Sequence, residues 1–309
     1  MSDATVARAG VAGIGIALPE RAVPNEPIAV RIEVEPEWIV TRTGIRERRI
    51  AGPGETVVSL AAAAGARALA DAGRSAADVD LLLVASTRGD DLMPGSAALV
   101  AGALGASRAG AIDVNAACTG FVAGLSLAAG ALDSGRAGTV LLIGAEVLSR
   151  MTDPDDRRTA ALFGDGAGAI VLDDGAAVGP VILGSEAAPE LLRTSHARGL
   201  IEMEGQEVFR HAVARMSEAT VAACAAADVA IEEIDHFVYH QANRRILDAI
   251  GRRLRLDPER VVETIGRYGN TSSASIPMAL ADVAPRPGAR VLVAAFGAGF
   301  TWGGAVVTW

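Results

Sequence analysis

Lysine is absent from this chain of 309 residues, and aromatic residues make up only 4% of it. Its 28 cationic side chains are therefore all arginines, so an acidic partner would meet guanidinium groups, which favour two-pronged contacts with carboxylates and phosphates. The net charge of −9 argues against a general nucleic-acid-binding protein, which needs a basic face. Because rings are scarce and there are 35 glycines, we expect a core of small residues, chiefly Ala, Val and Leu.

The sequence also lacks a disulfide framework and a membrane span. Its two cysteines, Cys118 and Cys224, are too few to staple a fold. Residues 1–10 lack the apolar stretch of a secretory signal, and the most apolar run, 123–131, is too short to cross a bilayer. We therefore expect a soluble cytoplasmic protein that does not bind membranes.

Metal-site patterns are missing too. His196, His211 and His236 have no cysteine or carboxylate at the spacing of a metal-ligand set. We expect neither a metal nor any other cofactor.

The chain does contain short Val/Ile/Leu runs that alternate with Ala-rich segments of helical length. Half of its residues are apolar and only 21% are charged, which indicates a folded protein with a large core. The alternation predicts an α/β protein with largely internal sheets. The predicted strands are 80–85, 139–144, 169–172, 235–239 and 290–294, and the predicted helices are 55–72, 118–134, 206–228 and 244–255.

A weak internal repeat runs through these elements. The segments ADVDLLLVAST and EEIDHFVYHQA align with Asp80 and Asp235 in register, a spacing of 235 − 80 = 155 residues. The segments AGTVLLIGAE and GARVLVAAFG align with Val140 and Val291 in register, a spacing of 291 − 140 = 151 residues. Self-similarity of this kind indicates a duplicated structural unit.

The repeat predicts two halves, 1–173 and 174–309, packed about a pseudo-twofold axis. Cys118 opens a helix in the first half, and we expect Asn270 at the matching place in the second. His240 follows the second copy of the first repeated strand. Polar residues at strand–helix junctions of such a core predict a site where the halves meet.

Cys118, in the segment DVNAACTGF, is the first candidate for chemistry. A thiol at a helix N-terminus lies at the positive end of the helix macrodipole, which favours the thiolate. The small neighbours Ala116, Ala117 and Gly120 leave room for a sharp turn and a close substrate. Position alone also fits a buried inert thiol, which is our interpretation of Cys224.

His240 and Asn270 are the other candidates. His240, in YHQANRRI, directly follows an apolar strand, where a capping role explains it at least as well as catalysis. Asn270 lies in GNTSSASIP, a composition typical of a turn and a helix cap. The combination of Cys, His and Asn, each at a junction that precedes a helix, favours a shared site.

Three glycine-rich segments, 13–18, 163–172 and 296–307, superficially resemble phosphate-binding loops. None has the P-loop lysine, and none has a complete G-x-G-x-x-G between a strand and a helix. We predict tight turns between strands, the last of which could present a backbone N–H group at the site.

Together the motifs resemble those of β-ketoacyl-ACP synthase III, a condensing enzyme of the thiolase-like superfamily. The resemblance runs from about residue 10 to residue 309, and six motifs occur in family order. They are EWIVTRTGIRERR, DVNAACTGF, FGDGAGA, YHQAN, GNTSSASIP and FGAGFTWG. The resemblance implies a thiolase-like five-layered αβαβα fold with duplicated halves, a homodimer, and acyl-CoA and acyl carrier protein (ACP) as partners.

The implied reaction is a decarboxylating Claisen condensation of an acyl-CoA primer with malonyl-ACP, for fatty-acid initiation or polyketide starter selection. Cys118 would carry the acyl group as a thioester, and the backbone N–H groups of Cys118 and Ala298 would form the oxyanion hole. His240 and Asn270 would bind the thioester carbonyl of malonyl-ACP. Phe296 would form an apolar wall beside the malonyl carboxylate.

The resemblance also implies a CoA site. Trp38 and Arg42 match a pair that stacks on the adenine, and Arg157 matches a partner on the other side of the nucleotide. Gly205 and Asn243 match positions along the pantetheine tunnel.

A basic patch for docking acidic ACP is implied on the helix after His240. It comprises Arg245, Arg252 and Arg253, joined by Arg210. Helical spacing places the first three near one face. A solvated helix face explains them equally well.

Three departures from the family pattern bear on specificity. Ala298 stands where many members have glycine, which would strain a positive φ. The segment 184–204 is short for the family. Met93 occupies a position, often Phe, that would reach across the dimer into the partner's acyl pocket, which Phe163 would also line. Because methionine is flexible, we expect a longer or branched primer rather than plain acetyl.

Two other functions remain open at this point. One is an acyltransferase on the same scaffold, which would move an acyl group to a hydroxyl or amine without forming a carbon–carbon bond. The other is a catalytically silent partner subunit, although such subunits usually replace the cysteine.

Overall fold

A computed structural model describes residues 10–173, 177–194 and 197–309. The sequence analysis also made predictions about the start of the chain and about His196, and these residues lie outside the described ones. The strands are β1 (Gly10–Ala17), β2 (Ala22–Pro24), β3 (Glu47–Arg49), β4 (Leu81–Ala85), β5 (Gly110–Val114), β6 (Val140–Val147), β7 (Asp165–Asp173), β8 (Ile182–Ser185), β9 (Leu192–Thr194), β10 (Ile201–Met203), β11 (His236–Tyr239), β12 (Arg290–Gly297) and β13 (Thr301–Thr308). The helices are α1 (Glu26–Arg31), α2 (Pro36–Thr43), α3 (Val57–Asp71), α4 (Ser96–Leu104), α5 (Gly120–Asp133), α6 (Gly205–Ala226), α7 (Arg244–Leu254), α8 (Ile265–Tyr268) and α9 (Ser275–Val283).

Two mixed sheets form the framework. The first has the order β1-β7-β6-β4-β5, and the second has the order β11-β12-β13-β8. In each sheet the repeated strands pair in parallel, β4 with β6 and β11 with β12. Every residue of β6 and β7 is buried, which explains their almost unbroken runs of small and apolar residues.

Helices cover both faces of each sheet, so the chain forms five layers in the order αβαβα. Helices α5 and α9 lie between the sheets, where Leu125, Leu142 and Val293 belong to one buried cluster. Helices α3 and α4 pack on the outer face of the first sheet, and α6 and α7 pack on that of the second. The predicted fold class is confirmed.

Small residues allow the layers to approach closely, as the composition predicts. A Cβ atom at Gly15 of β1 would lie 2.4 Å from the backbone nitrogen of Ala68 in α3. Only glycine permits that distance. Among the described residues, no helix is long and apolar enough to span a membrane.

The internal repeat is visible in hydrogen bonds. The Asp80 carboxylate accepts from the backbone N–H of Gly138 (2.8 Å) and Thr139 (3.2 Å), just before β6. The Asp235 carboxylate accepts in the same way from the backbone N–H of Arg290 (2.9 Å), at the start of β12. Each aspartate therefore ties its own strand to the next strand of the sheet.

The residue that matches Cys118 in the second half is Ser273, so the prediction that Asn270 occupies that place is wrong. A 3₁₀ turn leads into α5 at Gly120, and another leads into α9 at Ser275, a spacing of 275 − 120 = 155. With this spacing Asn270 matches Asn115. Because a 3₁₀ turn precedes each helix, both helices begin later in the chain than the sequence analysis predicted.

Two of the three glycine-rich segments are strands rather than the predicted turns. Residues 13–17 belong to β1 and residues 165–172 belong to β7. Their small residues make room for helices packed across the strands. In the third segment a turn at 298–300 joins β12 to β13, as predicted.

Candidate active site

A cavity of about 870 Å³ leads from the surface to the junction between the sheets. Cys118, His240 and Asn270 line it, although 122 and 30 residues separate them along the chain. Each lies near the start of a helix that follows a strand or turn. The fold therefore brings together the three groups that the sequence analysis selected.

Cys118 lies in the 3₁₀ turn Ala117–Thr119, two residues before α5. Burial raises the pKa of its thiol to about 12, so the resting group is the neutral thiol. The macrodipole argument predicted a lowered pKa for this thiol. Desolvation of the sulfur outweighs the macrodipole here, because the sulfur lies at the junction of the two sheets rather than at an exposed helix end.

His240 follows β11 and is fully buried in the protein. Its Nδ1 lies 2.7 Å from the Ser275 Oγ, which also accepts a hydrogen bond from the backbone N–H of Gln241 (3.3 Å). Burial lowers the pKa of His240 to about 4, so the imidazole is neutral at pH 7.

Asn270 is fixed through its backbone and one end of its side chain. Its N–H donates to the Leu162 carbonyl (2.9 Å), and its carbonyl accepts from the Gly164 N–H (3.0 Å). The Oδ1 accepts from the Ser272 N–H at 2.9 Å. The Nδ2 donors are therefore the end of this amide available to a ligand.

Strand β12 ends against the turn that holds Cys118. A Cβ at Gly297 would lie 2.8 Å from the Cys118 nitrogen and 3.1 Å from its Cβ, so this approach requires glycine. Phe296 and Ala298 line the cavity on either side. Ala298 does not adopt a positive φ, so the strain considered for this position does not arise; the neighbouring Gly299 has φ 140°.

Two guanidinium groups lie close to an aromatic ring that lines the cavity. The Arg42 guanidinium lies 4.3 Å and that of Arg157 5.2 Å from the centre of the Trp38 ring. Gly205 and Asn243 line the cavity nearby. The Asn243 side chain caps α7 and donates to the Arg42 carbonyl (3.1 Å), which couples α7 to α2.

The residues predicted for the acyl pocket and for docking are divided between the cavity and the surface. Phe163 and Arg245 line the cavity, and Arg245 lies 5.7 Å from the Phe209 ring. Met93 is 87% exposed and does not line it. Three predicted docking residues lie on the surface outside it: Arg210, Arg252 and Arg253.

The short segment 184–204 still contributes to the cavity. Strands β9 and β10 pair antiparallel, and Leu192, Ile201 and Met203 line the wall.

Several polar residues at the site escaped the sequence analysis. Thr87 and Ser272 line the cavity, and the buried Glu146 lies behind them. The internal repeat contained a signal for Glu146. The spacing of 151 residues that aligns Val140 with Val291 also aligns Glu146 with Gly297, and Gly297 lies beside Cys118.

The layered, duplicated fold with a cysteine at the head of a central helix defines a thiolase-like protein. One family model, for 3-oxoacyl-[acyl-carrier-protein] synthase III, matches residues 112–188, and a second, for the C-terminal part of that synthase, matches residues 224–309. The chain belongs to the β-ketoacyl-ACP synthase III family.

Relatives match over nearly the whole chain. A β-ketoacyl-ACP synthase III of Streptomyces coelicolor is 45% identical over 100% of this chain and 97% of its own length. One from Granulibacter bethesdensis is 45% identical over 97% and 99%.

Solved structures agree with this relation. The synthase III of Aquifex aeolicus has a TM-score of 0.95 at 38% identity, covering 97% of this chain and 100% of its own. A priming β-ketosynthase of a polyketide biosynthetic pathway has a TM-score of 0.95 at 36% identity, covering 100% and 98%.

Proposed function

We propose that this protein condenses an acyl-CoA primer with malonyl-ACP and releases β-ketoacyl-ACP and CO₂, in fatty-acid initiation or polyketide starter selection. The observation that carries the proposal is the convergence of Cys118, His240 and Asn270 in one cavity. The set contains one soft nucleophile and two neutral hydrogen-bond donors, which suits thioester exchange followed by stabilisation of an enolate. The names of the relatives support the same reaction.

In the loading step, Cys118 takes the acyl group from CoA as a thioester. The paired cations around Trp38 suit the adenine and phosphates of CoA at the mouth. The backbone N–H groups of Cys118 and Ala298 flank the close contact at Gly297 and serve as the oxyanion hole.

In the condensation step, His240 and Asn270 hold the thioester carbonyl of malonyl-ACP. With Nδ1 accepting a hydrogen bond from the Ser275 hydroxyl, neutral His240 presents Nε2–H to the cavity, and Asn270 presents Nδ2–H. Negative charge grows on the carbonyl oxygen as CO₂ leaves, and the carbanion attacks the acyl-Cys118 carbonyl. The apolar ring of Phe296 favours departure of the carboxylate as neutral CO₂.

A homodimer completes this proposal. The edge strand β5 exposes Ile112 (52%), and the nearby loop exposes Leu92 (93%) and Met93 (87%). Apolar side chains on an open sheet edge need a cover. A second copy across β5 supplies it and brings Met93 to the partner's pocket, where it accepts a longer or branched primer.

Docking of ACP at Arg245, Arg252, Arg253 and Arg210 fits the same arrangement. Arg245 lines the cavity mouth and the others lie on the surface around α6 and α7. Guanidinium groups suit the acidic surface of a carrier protein.

The test is a panel of acyl-CoAs followed by malonyl-ACP. Intact-protein mass should show one acyl group on Cys118, loaded faster from longer or branched acyl-CoAs than from acetyl-CoA. Addition of malonyl-ACP should then yield CO₂ and a product longer by one ketide unit. Loading without that gain would favour simple acyl transfer, an unmodified Cys118 would favour a silent subunit, and strict acetyl preference would reject the primer assignment.

A further inference from the structure

A buried serine hydroxyl lies behind the imidazole of His240, on the side away from the cavity. Ser275 is the first residue of α9 and is buried, and it does not line the cavity. In the part of the chain that the structure describes, its Oγ has two hydrogen-bond partners. They are the Nδ1 of His240 (2.7 Å) and the backbone nitrogen of Gln241 (3.3 Å). Ser275 therefore contacts the site through His240.

The two partners fix the direction in which this hydroxyl points. The backbone N–H of Gln241 only donates, so the Ser275 Oγ accepts that hydrogen bond. If Nδ1 also carried a hydrogen, the Oγ would accept twice and its own hydrogen would be buried without an acceptor, which is costly. The Ser275 O–H therefore donates to Nδ1, and the hydrogen of the neutral imidazole lies on Nε2.

The side chain of Gln241 holds its own backbone N–H in place. Its Nε2 donates to the carbonyls of Tyr239 (2.8 Å) and Val262 (3.1 Å), and its Oε1 accepts from the Thr264 N–H (2.8 Å). Both ends of this buried amide are thus bonded, and they tie the end of β11 to the segment 262–264. The N–H group that orients Ser275 belongs to a fixed part of the backbone.

The first half of the molecule shows that this helix start does not require the hydroxyl. The spacing of the two helix starts, 275 − 120 = 155, matches Ser275 with Gly120 and His240 with Ala85. These positions are in contact in the first half as well, since a Cβ at Gly120 would lie 3.3 Å from the Cβ of Ala85. The hydroxyl is present in the half that has the imidazole and absent from the half that lacks it.

We propose that Ser275 is a positioning residue that holds His240 in the Nε2–H tautomer, so that the imidazole donates to the thioester carbonyl of malonyl-ACP. The inference rests on the proposed function, in which His240 is one of two donors to the growing enolate. Among the described residues, none offers a hydrogen-bond partner to Nε2, so its hydrogen is available in the cavity.

Two properties of the imidazole support this role. An imidazolium carries a hydrogen on Nδ1 and would leave the Ser275 hydrogen without an acceptor, in agreement with the burial that lowers the pKa of His240 to about 4. Hydrogen bonds in a chain also polarise one another. The bond from Ser275 to Nδ1 should therefore strengthen as Nε2–H donates to the enolate.

NMR of the ring nitrogens tests the tautomer without any substrate. The protein is labelled with ¹⁵N in its four histidines, and the His240 signals are identified by their loss in His240→Ala. At pH 7 the couplings to the ring carbon protons show which nitrogen carries the hydrogen. We expect it on Nε2 in the unmodified protein. In Ser275→Ala the hydrogen should be shared between the two nitrogens, because Nδ1 has lost its donor.

The same variant separates the two chemical steps. Ser275→Ala should slow decarboxylation of malonyl-ACP without primer about tenfold, the effect of losing one neutral hydrogen bond. Acyl loading of Cys118 should change less than about threefold, because it uses the thiol and the backbone N–H groups of the oxyanion hole. Ser275→Ala should fold, since the first half builds the same helix start on Gly120.

Matched variants distinguish this role from a general loss of packing. Ser275→Thr keeps the hydroxyl and should restore both the single tautomer and decarboxylation. Ser273→Ala removes an equally buried hydroxyl that bonds the Ala85 carbonyl and Glu146 instead of His240. It should leave the His240 signals unchanged and decarboxylation nearly so.

A hydrogen on Nδ1 of the unmodified protein would overturn the assignment, as would an unchanged His240 spectrum in Ser275→Ala. Equal losses of loading and decarboxylation in that variant would overturn the role in the reaction. If the unmodified protein shows the Nε2–H tautomer but releases no CO₂ from malonyl-ACP, the proposed function fails while the effect of Ser275 on His240 holds.

Discussion

The two halves of this molecule build the same turn at their centre and place different chemistry in it. In the first half the turn carries Cys118, and the neighbouring strand offers Gly297. In the second half it carries Ser273, and the neighbouring strand offers Glu146. The comparison shows that the duplicated backbone fixes the position that a nucleophile can occupy in each half. The side chain on the facing strand then decides whether a substrate can reach it.

Making the first turn resemble the second should have the largest effect. Cys118→Ser places in the active half the residue that the other half carries. A serine hydroxyl is a far weaker nucleophile than a thiol, so acyl loading should fall by more than about 10³-fold. Intact-protein mass after incubation with acyl-CoA measures it.

The reciprocal change tests the second half of the comparison. Ser273→Cys gives that half a thiol, but the Glu146 carboxylate lies 2.9 Å from the side-chain oxygen now present. We expect no second acyl group on this variant. Acylation at both cysteines would mean that the turn alone, without the open glycine position, is sufficient for reactivity.

The matched asparagines should affect different steps. Asn270→Ala removes a donor to the growing enolate and should slow decarboxylation of malonyl-ACP by about 10²–10³-fold while loading continues. Asn115 instead donates to the Thr87 carbonyl (3.2 Å) and accepts from the Ala117 N–H (3.3 Å). Asn115→Ala should therefore slow loading about tenfold, through two lost neutral hydrogen bonds, with decarboxylation unchanged.

Measuring both steps in both variants checks this division. If Asn115→Ala impaired decarboxylation as strongly as Asn270→Ala, the two asparagines would act on the same step, and the contrast between the halves would be lost.

The sequence predicted the layers well because their signals are local. The strand around Val140 and the helix around Ala64 follow from continuous apolar or Ala-rich runs, and the aspartates Asp80 and Asp235 marked the repeat. Helix starts at the site were misplaced, because the residues of each 3₁₀ turn have the same composition as the first turn of the helix that follows.

Long-range packing explains what the sequence analysis missed. Glu146 ends an apolar strand and has no sequence neighbour to indicate its role; its partner Ser273 lies 127 residues away. The pKa of Cys118 was misjudged because burial, which depends on the whole fold, outweighs the local helix. The prediction for Met93 depends on a partner chain, and a single chain leaves this side chain in solvent.

The smallest effect concerns stability in acid. His240 matches Ala85 in the first half, a spacing of 240 − 85 = 155, so only the second half buries an imidazole at this place. Its pKa is lowered from 6.5 to about 4 in the folded protein. As pH falls below 6.5 the unfolded chain takes up a proton that the folded chain refuses, so acid favours unfolding.

Between pH 7 and pH 5 this group should lower the free energy of unfolding by about 2 kcal/mol. Glu146 and Asp165, whose pKa values burial raises, act in the opposite direction in the same range. The measurement is therefore a difference: urea unfolding at both pH values for the unmodified protein and for His240→Ala, which gives the second half the residue of the first. Between pH 7 and pH 5, the free energy of unfolding of the variant should fall by about 2 kcal/mol less than that of the unmodified protein. An equal loss in both proteins would show that the folded protein admits the proton to His240, and that the cavity floor is more polar than its burial indicates.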